Sequence, residues 1–205
     1  MKKVDIITLH RVVNYGSVLQ TYALQEKIKE KGFEVETIDY YPERLHLFGM
    51  LKRLKNKKEI LRKNPIVRFG AQCVIFPSYV QRFSMFKKFL KKYIKMTDKT
   101  YYNKEELEKN IPQADIYCTG SDQVWNSEWN EKIEYPFFLD FVPDDKKRIS
   151  YAASFGGKKW DDLNLTEQIT ACLGKFVAIS VRETSGKDIC RDVFHVASEC
   201  VLDPT

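Results

Sequence analysis

The chain has 205 residues, of which 43% are hydrophobic and 13% aromatic, and its formal net charge is +6. That composition supports a packed core and excludes a disordered chain. No apolar run reaches the roughly 18 residues of a membrane-spanning helix. The opening "MKKVDIITLHR" has basic residues and a short apolar run, but Asp5 interrupts it and no small-residue cleavage site follows. It therefore reads as a first strand and not as a signal peptide, and the expected location is the cytoplasm.

After "KVDIITL" comes a polar turn, "HRVVNYGS", and then an apolar helical stripe of Val18, Leu19, Tyr22, Ala23 and Ile28. Lys residues and Gly32 end that helix, with Gly32 placed as a left-handed cap. "FEVETIDY" is a second strand, so the first 40 residues predict a β-α-β unit with a right-handed crossover. Two helices are predicted next, "HLFGMLKRLKNKKEILRK" and "VQRFSMFKKFLKKYIKM", separated by the apolar "NPIVRFGAQCVIFP". In the second helix Tyr79, Phe83, Phe86, Leu90 and Tyr93 or Ile94 recur at helical steps. Lys87, Lys88, Lys91, Lys92 and Lys95 fill its opposite face. Regular alternation then returns: a helix in "EELEKNIPQ", strands in "ADIYCTG", "FFLDFV" and "RISYAASFG", and a helix in "NLTEQITACLGKF" with Asn164 and Glu167 at capping-box spacing. A strand "VAISVRE", a short helix "TSGKDICRD" and the start of a strand in "ECVLDPT" complete the chain.

The sum is a single α/β domain over residues 1–205, a Rossmann-like, open, mainly parallel sheet with a basic helical insertion at 43–110. Between Glu43 and Lys99, sixteen Lys and Arg face three Asp and Glu, a segment charge of +13 that leaves −7 for the rest of the chain. A basic segment of this kind is open to three readings: membrane-surface docking, anionic polymer binding, and packing against another part of the protein. Nucleic acid is not the expected partner, because the aromatics sit at core-like helical spacing and form no stacking platform. The five cysteines, at 73, 118, 172, 190 and 200, include no C-x-x-C pair; they read as small buried hydrophobes, and no metal site is expected.

Ligands of open parallel sheets bind outside the carboxyl ends of the strands. Four polar loops fall there: "HRVVNYGS", "GSDQVWN", "SFGG" beginning at Ser154, and Arg182-Glu183. Gly16 lets a ligand approach the first helix, where Asn14, Tyr15 and Ser17 stand; Asn14 and Ser17 can equally serve only as caps. Gly120 and Ser121 form a turn before Asp122, Gln123 and Trp125. A carboxylate, an amide and an aromatic face together suit a sugar, whereas an Asx turn with Trp125 in the core is the plainer alternative. Arg182 and Glu183 read as an ion pair or as an anion contact, and His10 as an acid-base group or a structural histidine.

"HRVVNYGSVLQTYAL", "GFEVETIDY", "YCTGSDQVWN", "FFLDFV", "KRISYAASFG", "AISVRE" and "VLDPT", in this order, resemble the N-terminal half of the polysaccharide pyruvyltransferase family. The resemblance implies one half of a glycosyltransferase-B-like enzyme whose active site lies between two Rossmann-like domains. It implies transfer of a pyruvyl group from phosphoenolpyruvate, a donor substrate and not a cofactor, onto hydroxyls of a cell-surface polysaccharide or its lipid-linked precursor. It further implies that this half is the acceptor side and that a C-terminal domain, the expected partner, supplies much of the clamp on phosphoenolpyruvate. On that expectation the 205 residues alone are inactive; the basic segment at 43–99 separately suggests a peripheral place at the inner membrane face for a cytoplasmic protein. Asp122 is the candidate base or hydroxyl ligand. Asn14, Ser17 and the Gly16 amide position a ligand oxygen, and Arg182 is the anion contact. The alternatives are a non-catalytic sugar-binding or accessory Rossmann domain, or another transferase of glycosyltransferase-B type.

Overall fold

The computed structural model describes residues 1–46, 63–130 and 134–205. Among them, seven parallel strands form one sheet in the order β3-β2-β1-β4-β5-β6-β7. The strands are β1 (Lys3–Ile7), β2 (Glu34–Tyr40), β3 (Met96–Tyr101), β4 (Ile116–Asp122), β5 (Lys147–Ala153), β6 (Ser180–Val181) and β7 (Glu199–Cys200). The helices are α1 (Tyr15–Glu30), α2 (Pro65–Tyr93), α3 (Lys104–Lys109), α4 (Ser127–Asn130), α5 (Thr166–Leu173) and α6 (Thr184–Asp192). The chain therefore runs outward from β1 to β3, returns to lay β4 beside β1, and runs outward the other way. The crevice between β1 and β4 is the topological switch point of such a sheet.

Helix α1 begins because the Asn14 side chain accepts the Ser17 amide at 3.3 Å. It ends with Lys27 and Lys29 in its last turn and Gly32 at φ +82°. Its buried side is not the expected stripe. Val18 and Leu24 are buried with Ser17, Gln20, Thr21 and Gln25, whereas Leu19 and Tyr22 are exposed. The polar members are buried because they reach backbone and strand groups: Thr21 Oγ1 donates to the Ser17 carbonyl at 2.8 Å, and Gln20 Nε2 donates to Thr8 Oγ1 at 3.0 Å. Leu24 packs with Val4, Ile6, Val35 and Cys118 on one face of the sheet. The other face carries the larger core, including Ile7, Ile38, Tyr117, Trp125, Phe137, Phe138, Phe155 and Phe194.

Several sequence expectations need correction. Helix α2 is continuous from Pro65, so "NPIVRFGAQCVIFP" is helix and not a connector, and Pro77 lies inside it. Pro65 occupies the first helical position, where its missing N–H costs nothing, and Asn64 caps the Ile66 and Val67 amides. "KMTDKTYY" holds the unanticipated edge strand β3, whose outward residues are polar. "FFLDFV" is not a strand: Tyr135–Phe138 is a 3-10 turn begun by Pro136 and closed at Leu139 in the left-handed region. Asn164 does not cap α5, which follows a 3-10 turn at Leu163–Leu165 and starts at Thr166. The "VAISVRE" strand shrinks to Ser180–Val181. Cys118 and Cys190 are buried, but Cys73 and Cys200 are exposed. Most of the helix predicted at "HLFGMLKRLKNKKEILRK" lies outside the described residues.

Asp5 is fully buried on β1, and neither carboxylate oxygen has a hydrogen bond; its one close partner is Lys3 Nζ at 3.3 Å. Burial pushes its pKa from 3.8 to about 6, with Lys3 offsetting part of the rise. The folded state thus binds more protons than the unfolded one between about pH 4 and 6, so stability falls as pH rises through that window. Asp5→Asn is expected to raise stability at pH 8 by about 2–3 kcal/mol, with the gain vanishing near pH 4. Urea unfolding of both proteins across that range checks it.

Candidate functional site

The site is built where β1 and β4 pair. Gly120 precedes it at φ +106°, and a Cβ there would lie 2.3 Å from the Tyr151 carbonyl oxygen, so no other residue fits. Asp122 follows in the left-handed region at φ 82°, uncommon for a residue with a side chain. Its conformation is held by its own hydrogen bonds. The backbone carbonyl accepts from Val124 N at 2.8 Å and Ser154 N at 3.0 Å, and Oδ1 accepts from Gln123 N at 2.8 Å. This aims the carboxylate across the crevice, where Ser17 Oγ donates to Oδ2 at 2.6 Å over 105 positions of sequence.

Arg182, just past β6, approaches the same carboxylate at 3.7 Å. It also lies 3.3 Å from Glu183 and 3.6 Å from Asp203. Ser154, fully buried, donates its hydroxyl to Glu183 and accepts the Gly156 amide at 2.9 Å. Asn14, Ser17, Asp122, Ser154, Arg182 and Glu183 are thus brought to one edge of the sheet. The structure adds Asp203 to them; its signal was its place in "VLDPT", just past a strand at the carboxyl edge. Asn14 caps α1, and Tyr15 at 61% exposure and Gly16 stand open beside it. Gln123 is half-buried and accepts from Asn126 at 2.9 Å. Arg182 cannot serve as a simple anion contact, because three carboxylates already surround its one positive charge.

Other sequence candidates are structural. Trp125 is 1% exposed, stacks on Phe138 and donates Nε1–H to the Phe137 carbonyl at 3.0 Å. It offers no face to a sugar, because the core behind the loop takes the ring. Ser121 is buried and donates its hydroxyl to Gln20, while its carbonyl accepts from Thr8 Oγ1 at 2.9 Å. Gly120 and Ser121 therefore shape the turn without reaching solvent. His10 is fully buried, with Nδ1 3.1 Å from the Thr8 carbonyl and Nε2 3.1 Å from Asp39 Oδ1. Both ring nitrogens are spent, so it is not an acid-base group facing the crevice. Asp39 also accepts Arg11 Nε at 2.6 Å and Thr100 Oγ1 at 2.6 Å. Burial opposes its ionisation, but the hydrogen bonds from His10, Arg11 and Thr100 outweigh it and hold the carboxyl well below the usual range.

Two further concavities lie away from Asp122, toward β2 and β3. One of roughly 510 Å³ is lined by Tyr40, Arg44, Tyr102, Lys104, Asn130 and Glu134 among others. One of roughly 350 Å³ lies between Arg11, Tyr41 and the α2 residues Phe83, Phe86 and Lys87. Neither holds a cluster of metal-ligating groups, and no such cluster occurs among the described residues.

A sequence model of the family described as polysaccharide pyruvyl transferase matches residues 14–205, nearly the whole chain and straight through the basic segment. No curated protein and no solved structure matches the chain.

Two substitutions check the structural assignments. Trp125→Ala is expected to cost about 3–5 kcal/mol of stability, as for a buried aromatic, in chemical unfolding. Asp39→Asn strands His10 and Arg11 without their carboxylate and is expected to cost about 3–5 kcal/mol at pH 7. Because the folded pKa of Asp39 lies below its ordinary value of 3.8, its stabilisation is complete above that pH and is lost as pH falls below it. The deficit of Asp39→Asn therefore narrows in acid.

Proposed function

The chain belongs to the polysaccharide pyruvyl transferase family, and from that premise we propose that the β1–β4 crevice holds the sugar acceptor. The reaction moves a pyruvyl group from phosphoenolpyruvate to two hydroxyls of a cell-surface polysaccharide or its lipid-linked precursor. The observation that carries the acceptor assignment is charge. Asp122, Glu183 and Asp203 lie within 3.7 Å of Arg182, three carboxylates to one guanidinium. Such a cluster repels a donor that bears both a carboxylate and a phosphate, and it suits a neutral polyol whose hydroxyls donate to carboxylates.

The chemistry assigns work to Asp122. The methylene carbon of phosphoenolpyruvate takes a proton, which leaves an oxocarbenium-like centre at C2. One sugar hydroxyl adds there, phosphate departs, and a second hydroxyl closes the ketal. Two hydroxyl protons are released; one balances the proton taken by carbon and the other leaves with phosphate. The Asp122 carboxylate receives a hydroxyl proton, with Ser17 Oγ and the Gln123 amide fixing its orientation. Asn14 and the exposed first turn of α1 place the ligand beside it. The cations that stabilise departing phosphate come from outside this cluster, in keeping with a two-domain enzyme.

Incubated with phosphoenolpyruvate and a panel of sugars, the 205-residue chain is expected to release no phosphate. In a preparation that does transfer pyruvate, Asp122→Asn is expected to lower kcat by about 10²–10⁴-fold while KM for phosphoenolpyruvate holds. Saturable phosphoenolpyruvate binding by the chain, lost in Arg182→Ala, would reverse the assignment of this edge to the acceptor. Sugar binding in a protein that never turns over would favour the accessory-domain reading.

A further inference from the structure

Helix α2 carries six basic residues, at 68, 82, 87, 88, 91 and 92, and no acidic one. Its two halves have different surroundings. In the second half Phe86, Leu90 and Ile94 just beyond it are buried against Val18. The first half exposes Ile66 at 82%, Phe69 at 68% and Val74 at 81%, with Phe76 and Val80 also open. By helical period Ile66, Phe69, Val80, Lys87 and Lys91 share one side of the helix.

The contacts with α1 say where that exposed half points. Tyr15 packs on Phe86 and Tyr22 on Phe89 and Tyr93, while Gln25 accepts the Lys95 amide at 2.9 Å. Residue numbers rise together along both helices, so they run in the same direction. Helix α1 starts at the carboxyl edge of β1, and the turns of α2 before Phe86 therefore extend past that edge. Roughly 30 Å of helix precede Phe86 at about 1.5 Å per residue. It projects from the same edge that bears Asp122, and among the described residues Ile66, Phe69 and Val74 stand exposed on it.

We propose that α2 is a docking arm for an anionic lipid surface: its projecting apolar half enters the headgroup boundary and Lys87, Lys88, Lys91 and Lys92 meet anionic headgroups. Charge selects this occupant. These four lysines are exposed and make no ion pair among the described residues. A second copy of the chain would bring an equally basic helix against them, which like-charge repulsion disfavours. An anionic bilayer satisfies both halves at once, supplying headgroup charge and an apolar boundary. The proposal rests on the helix and not on the transfer reaction, so a chain inert toward phosphoenolpyruvate that still binds vesicles leaves it standing.

The 205-residue chain is sedimented with vesicles of phosphatidylcholine alone or mixed with phosphatidylglycerol, at rising sodium chloride. Binding is expected only with the mixed vesicles and is expected to weaken with salt. Replacing Lys87, Lys88, Lys91 and Lys92 with Gln is expected to lower the partition coefficient on the order of 10²-fold. Ile66→Ser with Phe69→Ser is expected to remove the fraction that high salt leaves bound. All these positions are exposed, and circular dichroism verifies that the variants fold. Equal sedimentation with both vesicles, or none with either, overturns the proposal. So does a dimer that Phe69→Ser dissolves, or oligonucleotide binding as strong as vesicle binding.

Discussion

The parallel pairing of β1 with β4 is the constraint on which the rest of the molecule depends. It joins Val4 to Ile116 and Ile7 to Thr119, strands separated by the whole β2–α2–β3 excursion. Polar side chains secure its carboxyl end: Thr8 donates to the Ser121 carbonyl, Ser121 donates to Gln20, and Gln20 reaches back to Thr8. These groups are buried, and each would be costly if left unpaired. Once the pair is formed, the chain on either side leads away from the crevice, and the backbone there has no neighbouring crossover to cover it. That opening leaves the Asp122 carboxylate, joined to the buried Ser17 hydroxyl, partly exposed at the crevice.

Two carboxylates near this edge illustrate how environment separates similar groups. Asp39 spends its oxygens on His10, Arg11 and Thr100 and is nearly sealed from solvent. Asp122 has 16% of its side chain exposed, a serine and an amide as partners, and an arginine it shares with two other acids. The first fastens the loop after β1 to the end of β2. The second is held in place and still open. Arg11 and Arg182 look alike as strand-end arginines, yet Arg11 is a bidentate partner of one carboxylate at 2.6 and 2.5 Å whereas Arg182 makes only long contacts with three. Long contacts are easier to rearrange when a ligand enters.

Helix α2 interrupts the sheet between β2 and β3 and packs against α1 only through its last turns. The clamp at Gln25, which donates to the Tyr93 carbonyl and accepts the Lys95 amide, fixes the end of the helix where β3 must begin. The first turns of the helix expose Ile66, Phe69 and Val74.

Much of this was decided by the sequence itself. The β-α-β unit, the cap at Asn14, the left-handed stop at Gly32, the helix Thr184–Asp192 and the basic face of α2 all follow from local rules of period, capping and charge, and the structure carries each of them. The four polar loops were also legible, because a parallel sheet sends every loop that follows a strand to one edge. What only the tertiary structure decided are the questions that depend on distant partners. Trp125 reads the same in a loop whether it faces a sugar or Phe138. His10 becomes structural because Asp39, 29 positions away, takes its ring nitrogen. Polar "KMTDKTYY" becomes a strand only because β2 offers it an edge, and aromatic "FFLDFV" does not because Pro136 and the left-handed Leu139 turn it into the core. The balance of three carboxylates around Arg182 arises from three loops meeting, with Asp203 brought in from the far end of the chain. Local physics sets which segments fold and which residues reach the edge; the spending of each polar group is settled by neighbours that lie far off in sequence.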